Sequence, residues 1–312
     1  MLAIILTICA FINVPLFVAA INFTTRLTTY NDTIVRNLFY PLSAAAYGNT
    51  PGKCFRELFK SGQVVQTSKV QCVPGNKTHE CFGYVAYAPQ EKIIVLGFRG
   101  SKSSSQIEEE KRWTKSKTLV KFPFGGYVNP YFYKAFTNLM KGGLDRALQE
   151  ITKKYRNAAL WITGHSLGGS MAALAAGHIV QNNYVKPKDI TLVTFGQPRT
   201  GDALFAKNMD KTIINSWRVN HKHDIVPNII PVNLHNFVYQ HHNREIWYNN
   251  DMKPGQSYTV CRPGDDLYCI RSVDPKLLNW VDHVTYFGKA AGFATAGCSK
   301  KFYNVRLYLL GQ

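Results

Sequence analysis

Ala158-Ala159-Leu160-Trp161-Ile162-Thr163-Gly164-His165-Ser166-Leu167-Gly168-Gly169-Ser170-Met171-Ala172-Ala173-Leu174-Ala175-Ala176 is the stretch that decides how this chain folds. It opens with an apolar run and closes with small, helix-forming residues. Between them stands G-x-S-x-G, from Gly164 to Gly168. The order reads as strand, sharp turn, helix. A serine on such a turn takes a strained backbone conformation and points away from the sheet. Glycines two residues on either side remove side chains that would strike the adjoining strand and helix. Oγ of Ser166 then faces a substrate with a helix N-terminus behind it, where developing negative charge is favoured. A bare G-x-S-x-G also suits an ordinary glycine-rich turn. The flanking strand and helix, with Gly169 as the sixth residue, favour the nucleophile.

Apolar runs and helical patterns alternate on both sides of this turn. Strands are expected at Gly83–Ala88, Lys92–Phe98, Ala158–Thr163, Ile190–Phe195 and Ile214–Val219. Helices are expected at Tyr133–Tyr155 and Leu167–Gln181. This is the rhythm of an α/β fold, with a mostly parallel central sheet flanked by helices.

A serine hydroxyl is a weak nucleophile near neutral pH. It needs a base, and the base needs an acid to fix its tautomer. In α/β-hydrolases these follow in the order Ser, Asp or Glu, His. Asp224, before Ile225-Val226-Pro227, is expected to close the strand after the next one, where the acid belongs. Asp202 is the other candidate, but it suits the N-cap of a helix. Among nine histidines, His165 sits on the turn and is expected to point elsewhere. His221, His223, His235, His241 and His242 crowd Asp224 in the chain. His283, 59 residues beyond the acid, is the expected base. The oxyanion needs two backbone N–H donors. Leu167, after the nucleophile, supplies one. Ser101 in Phe98-Arg99-Gly100-Ser101, after an early strand, supplies the other.

The chain has 312 residues, 46% hydrophobic and 18% charged, enough to bury a full core in one large domain or two smaller ones. Residues 1–20 carry no charged side chain, and Val18 and Ala20 suit cleavage after Ala20. A signal peptide is expected there rather than an anchor, since Asn13 and Pro15 interrupt the run. Cys9 falls in that segment. The six remaining cysteines, Cys54, Cys72, Cys81, Cys261, Cys269 and Cys298, suit three disulfides in an oxidising compartment. No C-x-x-C pair exists, so a structural metal is not expected. Glycosylation sequons begin at Asn22, Asn31 and Asn76. A formal charge of +18 attracts anions, acidic lipid head groups included. No motif with stacking aromatics accompanies the lysines, so a nucleic-acid partner is not expected.

Taken together, these residues resemble the class 3 lipase family, the fungal-lipase-like α/β-hydrolases, from about Tyr40 to Cys298. The landmarks, in order, are Phe98-Arg99-Gly100-Ser101, Gly164-His165-Ser166-Leu167-Gly168-Gly169, Thr194 through Asp202, Asp224-Ile225-Val226-Pro227, Glu245-Ile246-Trp247-Tyr248 and Asp282 through Gly288. The resemblance implies Ser166 as nucleophile, Asp224 as acid, His283 as base, and Ser101 and Leu167 at the oxyanion hole. It implies pairings Cys54–Cys298, Cys72–Cys81 and Cys261–Cys269. It also implies one hydrolase domain over residues 21–312, with a short C-terminal extension.

The implied function is a secreted serine hydrolase that cleaves carboxylic esters of lipids, as a triacylglycerol lipase does, without metal or organic cofactor. Its partner is a lipid ester, met at a lipid–water interface with peripheral membrane contact. A phospholipase, a small-ester esterase and a non-catalytic lipid-binding protein are the alternatives, and a lysosome-like compartment is the alternative to secretion. The segment after Ser101 implies a lid. Of its large residues only Ile107 and Trp113 are apolar, so it is expected to close weakly over an apolar pocket. Val128-Asn129-Pro130 stands where family members carry a histidine, so no role of that histidine transfers.

Overall fold

Along the central strands, alternate side chains enter opposite layers. Ile94, Leu96, Phe98, Leu160, Ile162 and Leu192 belong to one buried cluster. Ile93, Val95, Ala159, Trp161, Val193 and Phe195 belong to the other. Side chains alternate across a strand, so a sheet covered on both faces needs apolar residues at every position. This is why the strand segments read as unbroken apolar runs.

The computed structural model describes residues 25–48, 51–75, 78–116, 118–242, 244–289 and Phe293. Residues 1–20, Asn22, Asn76 and Cys298 lie outside the described residues, and with them the expected Cys54–Cys298 pairing. Eight strands form the main sheet: β1 (Gln63–Gln71), β2 (Glu80–Ala88), β3 (Ile93–Phe98), β4 (Ala159–His165), β5 (Ile190–Phe195), β6 (Ser216–His221), β7 (Arg244–Tyr248) and β8 (Thr259–Pro263). Their spatial order is their chain order. β1 to β3 pair antiparallel, β3 to β7 parallel, and β8 returns antiparallel on the far edge.

Helices cover both faces. On one lie α1 (Tyr40–Ala45) and α2 (Pro51–Leu58), with Phe39 stacked on Trp161 at 4.5 Å. α3 (Ser104–Ser116) follows the loop after β3. On the other face lie α4 (Pro130–Leu139), α5 (Asp145–Lys154) and α6 (Leu167–Gln181), followed in the chain by α7 (Ala203–Thr212) and α8 (Trp280–Val284). Among the described residues no helix is long and apolar enough to cross a membrane. Cys72–Cys81 and Cys261–Cys269 are disulfide-bonded as expected.

Three expectations shift. The helix over 133–155 is two helices: Gly143 adopts φ 113° inside the wide turn Met140–Leu144 and breaks the ladder between α4 and α5. The chain enters α4 earlier than the apolar pattern suggests, because Asn129 Oδ1 accepts the N–H groups of Tyr131 and Phe132 and Pro130 takes the first turn. The strand expected at Ile214 begins at Ser216, because Ile213 N–H still bonds back to Met209 at the end of α7 and Ile214 is exposed. Asp202 does cap that helix, through Oδ1 to Phe205 N–H at 2.8 Å.

The turn between β4 and α6 is tightly packed. Ser166 holds φ 59° and ψ −128°, a conformation that L residues rarely adopt. A Cβ on Gly164 would lie 2.2 Å from the Gly168 carbonyl oxygen, and one on Gly168 would lie 2.4 Å from the Phe98 carbonyl oxygen. Backbone touches backbone at both places, so neither neighbour can swing aside. Gly168→Ala should therefore destabilise the protein by about 1–3 kcal/mol through overpacking, read as a lower urea midpoint with an unchanged slope.

Candidate active site

A strand end, a turn and a short helix place the three expected side chains. Ser166 follows β4 directly, and its own N–H bonds to the Phe195 carbonyl of β5 at 2.9 Å. Asp224 does not close a strand as expected. It sits in the turn after β6, its N–H bonded back to the His221 carbonyl at 2.9 Å. His283 lies on α8, whose start is capped by Asn279 Oδ1 accepting from Asp282 N–H at 2.8 Å. A bridge between Asp224 and Asn279 joins the two segments.

Asp224 and His283 are in contact. His283 Nδ1 lies 2.9 and 3.0 Å from the two carboxylate oxygens of Asp224, which is fully buried. Val226 N–H donates to Oδ1 at 2.8 Å and the Tyr286 hydroxyl to Oδ2 at 2.7 Å. The buried carboxylate is thus saturated with donors, and Nδ1–H points at it. That leaves Nε2 of His283 as the free lone pair, on the ring edge away from the acid. Ser166, Ser101 and His283 line one cavity together. Ser166 also lines a second, largely apolar cavity with Phe132, Val226, Ile229, Ile230, Leu234 and Trp280. No hydrogen bond joins Ser166 Oγ to His283 in this state; such contacts often tighten only when substrate is bound.

Other histidines are committed elsewhere. His221 bonds the carbonyls of Asp282 and Asn250, His241 that of Pro227, and His242 the side chain of Gln197. His165 departs from expectation. Its ring does not point away but stacks on His283, with centroids 4.4 Å apart. Tyr286 and Asn279 were not singled out in the sequence. The Asn279-x-x-Asp282 spacing of a helix cap was the available signal for the second. Of the sequons, Asn31 is exposed and its Oδ1 caps the helical turn that follows.

α3 lies across the cleft, with Ile107 and Lys111 lining both cavities at Ser166. Its apolar content is low, but several of its polar side chains face inward and are bonded. Gln106 and Glu109 are buried. Glu109 Oε2 bonds His79 at 2.7 Å and accepts from the Tyr131 hydroxyl at 3.3 Å. Thr114 accepts from Asn129 Nδ2 at 2.8 Å, and the Ser101 hydroxyl donates to Glu110. Counting apolar residues alone therefore understates how this segment is held. Burial pushes the Glu110 carboxyl up to about 8; the Ser101 hydroxyl partly opposes this and the Glu109 carboxylate adds to it. Among the described residues, the only cluster with metal-ligand spacing is Glu245 with Cys261 and Cys269, and both thiols are spent in a disulfide.

Residues 95–234 match the Lipase (class 3) family. Lipase ZK262.3 of Caenorhabditis elegans is 33% identical over 307 residues, covering 86% of this chain and 83% of that one. The chain belongs to the class 3 lipase family. A Rhizomucor miehei lipase is 30% identical over 216 residues, 68% of this chain and 56% of its own. A crystal structure of a lipase from Rhizopus microsporus var. chinensis superposes with a TM-score of 0.70 at 26% identity, covering 87% of this chain and 92% of its own. A triacylglycerol lipase whose catalytic centre is a serine protease triad superposes at 0.67 and 27% identity, covering 82% and 94%. The fold is that of an α/β-hydrolase, and the class 3 lipase family makes the chain a lipase-like hydrolase of carboxylic esters.

Glu110 should make the hold on α3 depend on pH. Its carboxyl holds its proton more tightly under the helix than it would in water, so closure is favoured fully below the ordinary glutamate range. That advantage is lost as pH rises towards 8. Spin labels at Lys115→Cys and Ile214→Cys should show the open-to-closed ratio rising by up to about tenfold per pH unit between roughly pH 5 and 8. Glu110→Gln should flatten that rise.

Proposed function

We propose that this protein hydrolyses lipid carboxylic esters through an acyl-enzyme on Ser166, with His283 as base and Asp224 as its orienting acid. The supporting observation is the Asp224–His283 pair: a saturated, buried carboxylate directs the imidazole lone pair into the cleft that holds a strained serine.

The sequence of events follows from these positions. His283 Nε2 takes the Ser166 proton as Oγ attacks the ester carbonyl. The imidazolium that results is stabilised by Asp224. Charge moves onto the carbonyl oxygen, in front of the α6 N-terminus, where the Leu167 and Ser101 N–H groups are proposed to receive it. His283 then protonates the departing alcohol, and water repeats the steps to release the acid. The apolar cavity lined by Phe132, Ile229, Ile230 and Leu234 suits an acyl chain.

Leu277, Trp280, Val281 and Val284 are exposed on and beside α8, and we assign them to contact with a lipid surface. The apolar segment 1–20 and the disulfides support secretion as the proposed destination. Lys111, over the Trp280 ring at the rim of the cleft, favours a second reading in which the ester belongs to a phospholipid. A panel of triacylglycerols, phospholipids and short p-nitrophenyl esters separates the two.

Ser166→Ala should remove turnover and covalent labelling by an organophosphonate. Asp224→Asn should lower kcat by about 10⁴-fold while leaving the fold intact. An unlabelled wild type would end the proposal. Since polar contacts dominate the hold on α3, a lipid surface gains little by peeling it back. Activity should rise smoothly across the solubility limit of the substrate; a sharp jump there would contradict this account.

A further inference from the structure

His165 occupies a position that the ester-hydrolysis reading does not use. It ends β4, next to the serine, and its backbone pairs with Phe195 of β5. Its ring is buried, with Phe293 stacked on it at 3.8 Å and 11° and the His283 ring stacked at 4.4 Å and 29°. Both ring nitrogens are engaged. Nε2 lies 2.9 Å from the His283 backbone carbonyl, and Nδ1 lies 2.8 Å from the Tyr47 hydroxyl. A carbonyl only accepts, so Nε2 carries the hydrogen. Nδ1 must then accept, and Tyr47 donates to it. The Tyr47 hydroxyl sits directly against Gly100, the residue before Ser101. A Cβ on Gly100 would lie 2.2 Å from that hydroxyl, so the bare backbone is what lets the tyrosine in.

We propose that His165, oriented by Tyr47, is a positioning residue that fixes His283 against both the nucleophile and the oxyanion loop. The inference rests on the assignment of His283 as the base. α8 is five residues long, and the His283 carbonyl lies in its last turn, where a helix has no partner of its own to offer. His165 supplies that partner from a rigid strand. One chain of hydrogen bonds thereby runs from Tyr47, packed on Gly100, through His165 to His283. It joins the loop that would bind the oxyanion, the turn that bears the serine and the short helix that bears the base. His165 remains neutral, since burial drives its pKa well below the ordinary range and the neighbouring His283 adds to the effect. A neutral ring can stay stacked on His283 while that residue becomes an imidazolium, without repelling it.

The test compares His165→Leu, His165→Gln and Tyr47→Phe on a soluble short-chain ester, with active sites counted by phosphonate titration. His165→Leu keeps bulk and removes both bonds. Its kcat should fall about 10–100-fold with KM within about twofold, the expected result of a misaimed base. His165→Gln restores an N–H near the His283 carbonyl and should recover most of that loss. Tyr47→Phe, the gentlest change, should lower kcat by about threefold to tenfold and move the acid limb of the kcat/KM profile. If the leucine and glutamine variants fall alike, the role is packing and the inference is wrong. The same holds if Tyr47→Phe leaves kcat and the pH profile untouched, and that variant decides the matter should His165→Leu not fold. Failure of the wild type to react with phosphonate would instead overturn the hydrolase assignment itself.

Discussion

Backbone against backbone at Gly164 and Gly168 is the contact on which the site depends. The strand can turn into α6 within one residue only because no side chain lies between the Gly164 Cα and the Gly168 carbonyl, or between Gly168 and the Phe98 carbonyl. That turn forces Ser166 into its left-handed conformation and lifts its hydroxyl off the sheet. It also brings the end of β3 against the start of α6, so the loop carrying Ser101 arrives beside the serine as a by-product of packing. The strain at Ser166 is sustained by the sheet, since its N–H is bonded into β5. Ser166 and the loop carrying Ser101 are therefore one structural unit, not two parts brought together.

His283 belongs to a short helix held by side-chain bonds. α8 is short and partly exposed, and its register comes from specific bonds: the Asn279 cap, the Asp224–Asn279 bridge, the Tyr286 hydroxyl on Asp224, and the His165–His283 contact. The helix over the cleft is held in the same manner. Burying carboxyl groups is unfavourable unless each finds a donor or a proton. Glu109 finds His79 and Tyr131, while Glu110 finds Ser101 and holds its proton. A cover built this way responds to pH and to competing hydrogen-bonding groups more than to apolar contact.

How much of this could be read in the chain follows from the range of the forces involved. The β4–α6 turn, the buried strands and the Asp202 cap are local, and patterns of two to four residues reveal them. Ser166, Asp224 and His283, the proposed triad, are legible because the resemblance fixes their order. β1 was missed because an edge strand is half solvated and its residues Gln63–Gln71 are mostly polar. The break at Gly143 was missed because an apolar period can continue across a change of helix axis. Tyr47, Tyr286, His79 and Glu110 were missed as partners because their roles exist only across distances in the chain that no spacing rule spans. The sequence places His165 beside Ser166 and says nothing of its ring's partner, which lies 118 positions away.

The order of strands in the sheet has a temporal side. Each strand lies next to the one before it, so the sheet can grow by accretion as the chain lengthens, with little rearrangement of what is already in place. The serine joins the growing layer at β4, midway. The imidazole arrives only after β8 has closed the far edge. A partly synthesised chain would thus display a shaped hydroxyl with nothing to deprotonate it. The proposed Ser166–His283 pairing can form only once α8 is in place.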